Sequence, residues 1–206
     1  GCEGKTLVEI GSGGGFLKEA IPGVITSDIL DLPNVDRCFS ALKMPFGDGT
    51  VDAFFMVDVL HHIPDAREFL GEMQRCLKVG GRVAMIEPAN TAWARFIYRN
   101  LIDEPFDPQG DWSFPQQDRP VSAANIALPW IVFTRDRERF ELEFPSYNIV
   151  KLELHTPLRY LVSGGLSVRQ LVPSFTYPLV KAVEAAVSPF TRYLAMFQTV
   201  VLQKGG

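Results

Sequence analysis

Hydrophobic positions along this chain fall into two alternating rhythms. Short apolar runs bounded by glycines or acids read as strands: Lys5 to Ile10 (KTLVEI), Gly23 to Ile29 (GVITSDI) and Arg82 to Pro88 (RVAMIEP). Val35 to Ala41 (VDRCFSA) suggests a further, short strand, and Thr50 to Leu60 (TVDAFFMVDVL) has the continuous apolar character of a strand covered on both faces. Helical spacing appears in between. GFLKEAI, which follows a cluster of glycines, opens one helix. A second runs from Ile63 to Gly81: Pro64 and Asp65 open it, Phe69, Leu70, Met73, Cys76 and Leu77 recur along one face, and Gly80 and Gly81 end it. Strand, helix and strand in alternation predict an α/β fold, a parallel sheet with helices on both faces.

The second half is less regular. Ala89 to Pro120 is rich in aromatics, Pro and Asp and reads as an inserted lid or substrate segment, bounded at 89–121. Ser122 to Phe144 reads as mostly helical, with a kink or a late start at Pro129. Tyr147 to His155 and Leu194 to Lys204 are strand-like. Between them lie Leu161 to Leu171 (LVSGGLSVRQL) and an apolar helix candidate at Thr176 to Val187. Without internal repeats or a low-complexity linker, residues 1–206 read as one domain.

Composition narrows the class. The 206 residues are enough for a sizeable core, and 47% hydrophobic with 21% charged residues is ordinary for a globular protein. A formal net charge of -4 argues against a nucleic-acid backbone as the main partner. Cys2, Cys38 and Cys76 are odd in number and widely spaced, which fits a reducing, cytoplasmic setting better than a disulfide framework or a zinc site. No apolar run has the length of a transmembrane helix, and no signal-peptide pattern is seen. The chain begins at Gly1 with no Met, so an upstream segment is expected.

Candidate chemistry starts at Leu7 to Ala20, LVEIGSGGGFLKEA. A dinucleotide-binding turn would read G-x-G-x-x-G, but Phe16 stands where the last glycine belongs. The string is E-x-G-x-G-x-G instead: Glu9, Gly11, Gly13, Gly15. Gly11 and Gly13 let backbone pass close under a ligand in torsions other residues avoid. Glu9 ends its strand where it can accept hydrogen bonds from loop amides or from a cationic ligand. The plain alternative is a tight strand-to-helix turn with no ligand. Asp28, at the end of the second strand, can accept both hydroxyls of a ribose; its alternative is a turn cap. An acid there points to a nucleoside without saying which one.

This turn resembles the first motif of class I S-adenosylmethionine-dependent methyltransferases. Ala41 to Asp65 (ALKMPFGDGTVDAFFMVDVLHHIPD) is similar to the LPF-x-D-x-(S/T)-x-D…LHH-x-x-D pattern of the methyltransferase type 11 group that includes quinone-biosynthesis methylases. Met44, Pro45, Phe46, Asp48, Thr50, Asp52, Leu60, His61, His62 and Asp65 carry that match, and the likeness spans Lys5 to Pro88.

The resemblance implies a Rossmann-like three-layer sandwich whose seven-stranded, mostly parallel sheet ends in an antiparallel strand, here Leu194 to Lys204. It implies S-adenosyl-L-methionine as cofactor and S-adenosyl-L-homocysteine as product, held by Glu9, Gly11, Ser12, Gly13, Gly15, Asp28, Ile29, Ser40, Ala41, Leu42 and Asp58. At Asp58 the family's contact is the backbone carbonyl. Ser40 departs from the pattern, because relatives have an acid there to accept the adenine amino group. A neutral hydrogen bond is weaker than a charge-assisted one by roughly a factor of two, so weakened cofactor binding is expected.

Methyl transfer from a sulfonium asks mainly for alignment and exclusion of water, so a catalytic triad is not needed. His61 and His62 follow the fourth strand and are candidates for a general base; the competing reading is that they hold their loop by hydrogen bonds. His155 reads as structural, and no metal site is expected from three scattered histidines. Trp93, Phe96, Tyr98, Phe106, Trp112 and Phe114 would wall an apolar acceptor, with Arg95 or Arg99 for an anionic group, or else form a satellite core. The expected acceptor is a small or lipid-like molecule, with peripheral membrane contact through Pro178 to Phe190 as a minor reading. Arg137–Glu141 and Arg139–Glu143 have the spacing of surface helix pairs. Rival functions are an NAD-dependent oxidoreductase and a non-catalytic, cofactor-binding partner protein.

Overall fold

The structure is a computed structural model that describes residues 3–115, 123–164 and 172–206. Its centre is a seven-stranded sheet in the order β3-β2-β1-β4-β5-β7-β6. The strands are β1 (Leu7–Ile10), β2 (Ile25–Asp28), β3 (Arg37–Cys38), β4 (Val51–Val57), β5 (Leu77–Pro88), β6 (Tyr147–His155) and β7 (Phe197–Lys204). β1 to β5 pair in parallel, and β7 runs antiparallel to both of its neighbours, β5 and β6. The order turns back at β1: β2 and β3 lie to one side of it, β4 and β5 to the other. In open sheets of this kind the crevice at the carboxyl ends of the strands, at that reversal, is where ligands bind.

β1 is buried along its whole length, and Val8, Ile10, Phe54, Met56, Val83 and Met85 from the three central strands join one core. Helix α2 (Ala66–Cys76) covers that core with Phe69, Leu70, Met73 and Cys76. The Asp65 carboxylate caps it, accepting from the amides of Arg67 and Glu68 at 2.9 Å each. The helix ends at Cys76, earlier than the glycines predict. Leu77 already pairs with Val51; the ladder then skips to Arg82 opposite Ala53, and the intervening residues bulge out with Gly80 at φ +79°. Gly80 and Gly81 therefore shape a bulge inside β5 and do not stop a helix.

Helix α1 (Leu17–Ala20) is a single turn. The 122–144 stretch starts its helical part late: α4 (Leu128–Trp130) leads into a π-helical turn (Ile131–Arg135), and α5 (Arg137–Glu143) follows Asp136. Ser122 lies outside the described residues. Arg137–Glu141 and Arg139–Glu143 form their i,i+4 pairs at 2.8 and 2.9 Å. α6 (Arg159–Val162) begins the connection after β6, whose residues 165–171 lie outside the described set, as do Cys2 and residues 116–121 of the insertion. α7 (Tyr177–Ala186) and α8 (Thr191–Leu194) then lead to β7.

The insertion after β5 is anchored at several points. α3 (Ala92–Leu101) is capped by Thr91 and packs Ala94, Ile97 and Tyr98 against Ile126, Met196 and Phe197, while the Tyr98 hydroxyl donates to the Met196 carbonyl. Trp112 is fully buried in the main core. Its Nε1 donates to Asp136 at 2.9 Å, and the guanidiniums of Arg67 and Arg139 lie over its ring. Trp93 stacks on Phe96 and donates to the Pro157 carbonyl. Arg95 bonds Asn90, and Arg99 lies over Phe106. Among the described residues no helix is long and apolar enough to cross a membrane.

Loss of the α2 cap gives a direct test of this packing. Asp65→Ala removes the acceptor for two first-turn amides and is expected to lower unfolding free energy by about 0.5–2 kcal/mol in urea titration. A change too small to measure would mean that water serves those amides equally well.

Candidate active site at the carboxyl ends of β1 and β4

The glycine turn leaves β1 at Ile10. Gly11, Gly13 and Gly15 all adopt positive φ, at +66°, +49° and +73°. At Gly11 the need for glycine is also steric: a Cβ there would lie 2.5 Å from a methyl of Val59. The turn is thus pressed against the second residue after β4. Ser12 staples it to β2. Its amide donates to the Ser27 carbonyl at 2.9 Å, its hydroxyl accepts from the Ser27 amide at 3.0 Å, and the Ser27 hydroxyl donates to the Glu9 carbonyl at 2.6 Å.

Two carboxylates flank the turn. Glu9 is buried, and its Oε2 has no hydrogen-bond partner. Burial pushes its pKa up, against a smaller opposing effect of the Ser12 hydroxyl. Asp28 is half-buried at the end of β2; one oxygen accepts from the Gly13 amide and the other from the Leu30 amide, both at 3.0 Å. Ile29 follows it, exposed. On the far side of β2, Ser40 accepts from the Leu42 amide at 3.3 Å, with Ala41 half-buried between them.

The second half of the site hangs from the end of β4. Asp58 takes a left-handed backbone, φ +63°, unusual for a residue with a side chain. A 3-10 turn (Leu60–His62) follows. Glu87, near the end of β5 and wholly buried, accepts from the amides of Val59 and Leu60 at 3.0 and 2.8 Å and pairs with His61 Nδ1 at 3.1 Å. Glu104, beyond α3, lies 3.5 Å from His61 Nε2 and 4.0 Å from His62 Nε2. The His62 Nδ1 faces the Ala123 carbonyl at 3.4 Å. His61 and His62 therefore stand side by side, ring centroids 4.1 Å apart.

Three carboxylates around one imidazole set the electrostatics. Burial alone would lower the pKa of His61, but hydrogen bonds to Glu104 and Glu87 and the charges of Glu87 and Asp58 outweigh it and push it up to about 10. Asp58 is raised to about 6, chiefly because protein withdraws it from water; its acidic neighbours add to this, and His61 opposes it. His62 is lowered by burial and by the charge of His61, so it stays neutral where His61 is cationic. His155 stands apart, between the hydroxyls of Thr156 and Thr199.

The sequence singled out His61, His62 and Asp58 but passed over Glu87 and Glu104. Glu87 had a legible signal, a carboxylate closing the apolar run RVAMIEP. Glu104 had none, since only the path of the insertion brings it to the histidines.

The raised pKa of His61 carries a stability prediction. A histidine whose folded pKa lies above its ordinary 6.5 stabilises the fold fully below about pH 6.5, and loses that contribution as pH climbs toward 10. The urea midpoint is therefore expected to fall across that interval, and to fall less in His61→Gln. Equal slopes for the two proteins would show that His61 is not the group responsible.

Comparison with known proteins adds identity to this geometry. A family model described as a methyltransferase domain matches residues 8–85. The demethylmenaquinone methyltransferase of Streptomyces avermitilis is 30% identical over 92 residues, which is 44% of this chain and 40% of that protein; the match thus spans less than half of its relative. Among solved structures, a SAM-dependent methyltransferase from Archaeoglobus fulgidus superposes with a TM-score of 0.56 at 15% identity, covering 97% of this chain and 86% of the other. The geranyl diphosphate C-methyltransferase of Streptomyces coelicolor A3(2), in complex with Mg2+, geranyl diphosphate and S-adenosyl-L-homocysteine, gives 0.53 at 16%, covering 97% and 72%. At such identities the superpositions speak for the fold. Residues 8–85 thus match a methyltransferase domain, and the chain as a whole has the fold of S-adenosylmethionine-dependent methyltransferases.

Proposed function

We propose that this chain transfers the methyl group of S-adenosyl-L-methionine to a small-molecule or lipid-like acceptor. The observation that carries the reading is the unpartnered, buried Oε2 of Glu9 beside three left-handed glycines. A buried carboxylate oxygen without a donor is costly, and a cationic ligand amine would supply one. The residues present fit that cofactor. The space next to a Cβ at Gly13 is open, and each Asp28 oxygen, though already accepting one amide, has a second lone pair for a ribose hydroxyl.

In this reading Glu9, Gly11, Ser12, Gly13 and Gly15 take the amino-acid end, Asp28 and Ile29 the ribose, and Ser40, Ala41 and Leu42 the adenine, with the Asp58 carbonyl beside the amine. The cofactor supplies an activated methyl on a sulfonium. Alignment of the acceptor is then the protein's main task and contributes roughly 7–11 kcal/mol where it is good. If the acceptor must lose a proton, His62 is the better suited base, because it is neutral; His61, held cationic by Glu87 and Glu104, orients its neighbour and the loop. Demethylmenaquinone and geranyl diphosphate, the molecules named for the two relatives, support a small-molecule acceptor.

Calorimetric titration with S-adenosyl-L-homocysteine, with NAD as control, tests the reading. Saturable binding of the first alone is expected, weakened at least tenfold in Asp28→Ala, which removes charge-assisted acceptors. Gly11→Ala should do the same by forcing Val59 away. Binding of NAD alone would overturn the assignment in favour of an oxidoreductase.

A further inference from the structure

His61, His62 and Glu104 converge more closely than loop stabilisation requires. One ligand atom from each residue lies within 4.8 Å of the other two, and the Nε2 atoms of His61 and His62 are 3.5 and 4.0 Å from Glu104 Oε2. Ligands on a tetrahedral cation at about 2.0–2.1 Å sit about 3.4 Å apart, so side-chain movement of no more than about 1.4 Å closes the set.

A second observation is independent of that spacing. In both rings the other nitrogen, Nδ1, already faces an acceptor: Glu87 for His61 at 3.1 Å and the Ala123 carbonyl for His62 at 3.4 Å. Glu87 is itself fixed by the amides of Val59 and Leu60. An Nδ1–H held by a carboxylate or a carbonyl turns the Nε2 lone pair outward, and this is how metal-binding histidines are oriented. Two adjacent histidines, each with its Nδ1 facing an acceptor and its Nε2 turned toward one carboxylate, form a prepared ligand set.

We infer that His61, His62 and Glu104 bind a divalent first-row transition metal of the zinc class. Two imidazole nitrogens and one carboxylate oxygen favour Zn2+, Co2+ or Fe2+ over Mg2+ or Ca2+, which prefer all-oxygen shells. Glu104 is about 40% exposed, so the fourth position faces solvent and is open to an exchangeable ligand. Binding displaces the proton that His61 otherwise carries. The site begins two residues after Val59, whose side chain closes on Gly11, and so lies beside the glycine turn. Resting on the methyl-transfer reading, the open position suits an acceptor bearing a hydroxyl, whose O–H is made more acidic by the cation and whose proton leaves to water.

The test is titration of the chelator-treated chain with Zn2+ and with Co2+ alone, followed by calorimetry and by the visible spectrum of the cobalt form. One saturable site per chain is expected, with the intense absorption of low-coordinate Co2+. Affinity should fall at least tenfold in Glu104→Gln and in His62→Gln and stay unchanged in His155→Gln. Absence of a saturable site would overturn the inference, as would a site whose affinity survives both Glu104→Gln and His62→Gln. Binding of S-adenosyl-L-homocysteine should be unaffected by His155→Gln, which lies apart from the site. A chain that binds S-adenosyl-L-homocysteine but no metal refutes only the metal site, and the converse refutes only the cofactor reading.

Discussion

The buried carboxylate of Glu87 is the constraint on which the site depends. A carboxylate with no exposure must have its oxygens served by donors, and here they come from the Val59 and Leu60 amides and the His61 ring. Those donors all belong to the chain leaving β4. By gathering them, Glu87 turns that chain sharply, sets Asp58 in its left-handed backbone and presses Val59 onto Gly11. The glycine turn and the histidine pair thus take their relative position from one residue near the end of β5.

Much of the sequence signature that carries the resemblance maintains the frame. Arg75 of α2 donates to the carbonyls of Met44 and Phe46 and to Asp48, while Glu72 accepts from the Met44 amide. Asp52 accepts from the Thr6 amide and from Lys78. Asp65 caps α2. Hence Met44, Phe46, Asp48, Asp52 and Asp65, which make the match long, clamp the β3–β4 connection, β4 and α2 together. Glu9, Asp28 and the glycines stand out by contrast, because local structure leaves them with spare hydrogen-bonding capacity or open space.

The central strands β1, β4 and β5 were legible because each carries an apolar run followed by a recognisable breaker. The glycine turn was legible because positive φ leaves few residue choices. What stayed hidden depended on distance along the chain. Glu104 reaches His61 only through α3 and the loop after it, and no local pattern encodes that path. The role of Trp112 was equally obscure: an aromatic in a polar, Pro-rich stretch gives no sign that it will be fully buried between Arg67, Arg139 and Asp136. Gly80 misled for a physical reason, since a left-handed glycine serves a helix end and a strand bulge equally well.

The antiparallel β7 bears on the order in which this molecule can assemble. Among the described residues β6 has β7 as its only strand neighbour, and β7 also covers the edge of β5, so residues 197–204 lie between two strands made well before them. Until those residues arrive, β5 offers an open edge and β6 has nothing to pair with. Contacts this distant in sequence delay closure of the sheet and lengthen the exposure of apolar edges to neighbouring chains. Because Tyr98, Thr91 and Ala89 all bond to Ala195 or Met196, α3 and the residues leading into it gain these contacts only at that final step. The helix that precedes Glu104 is therefore among the last parts to settle.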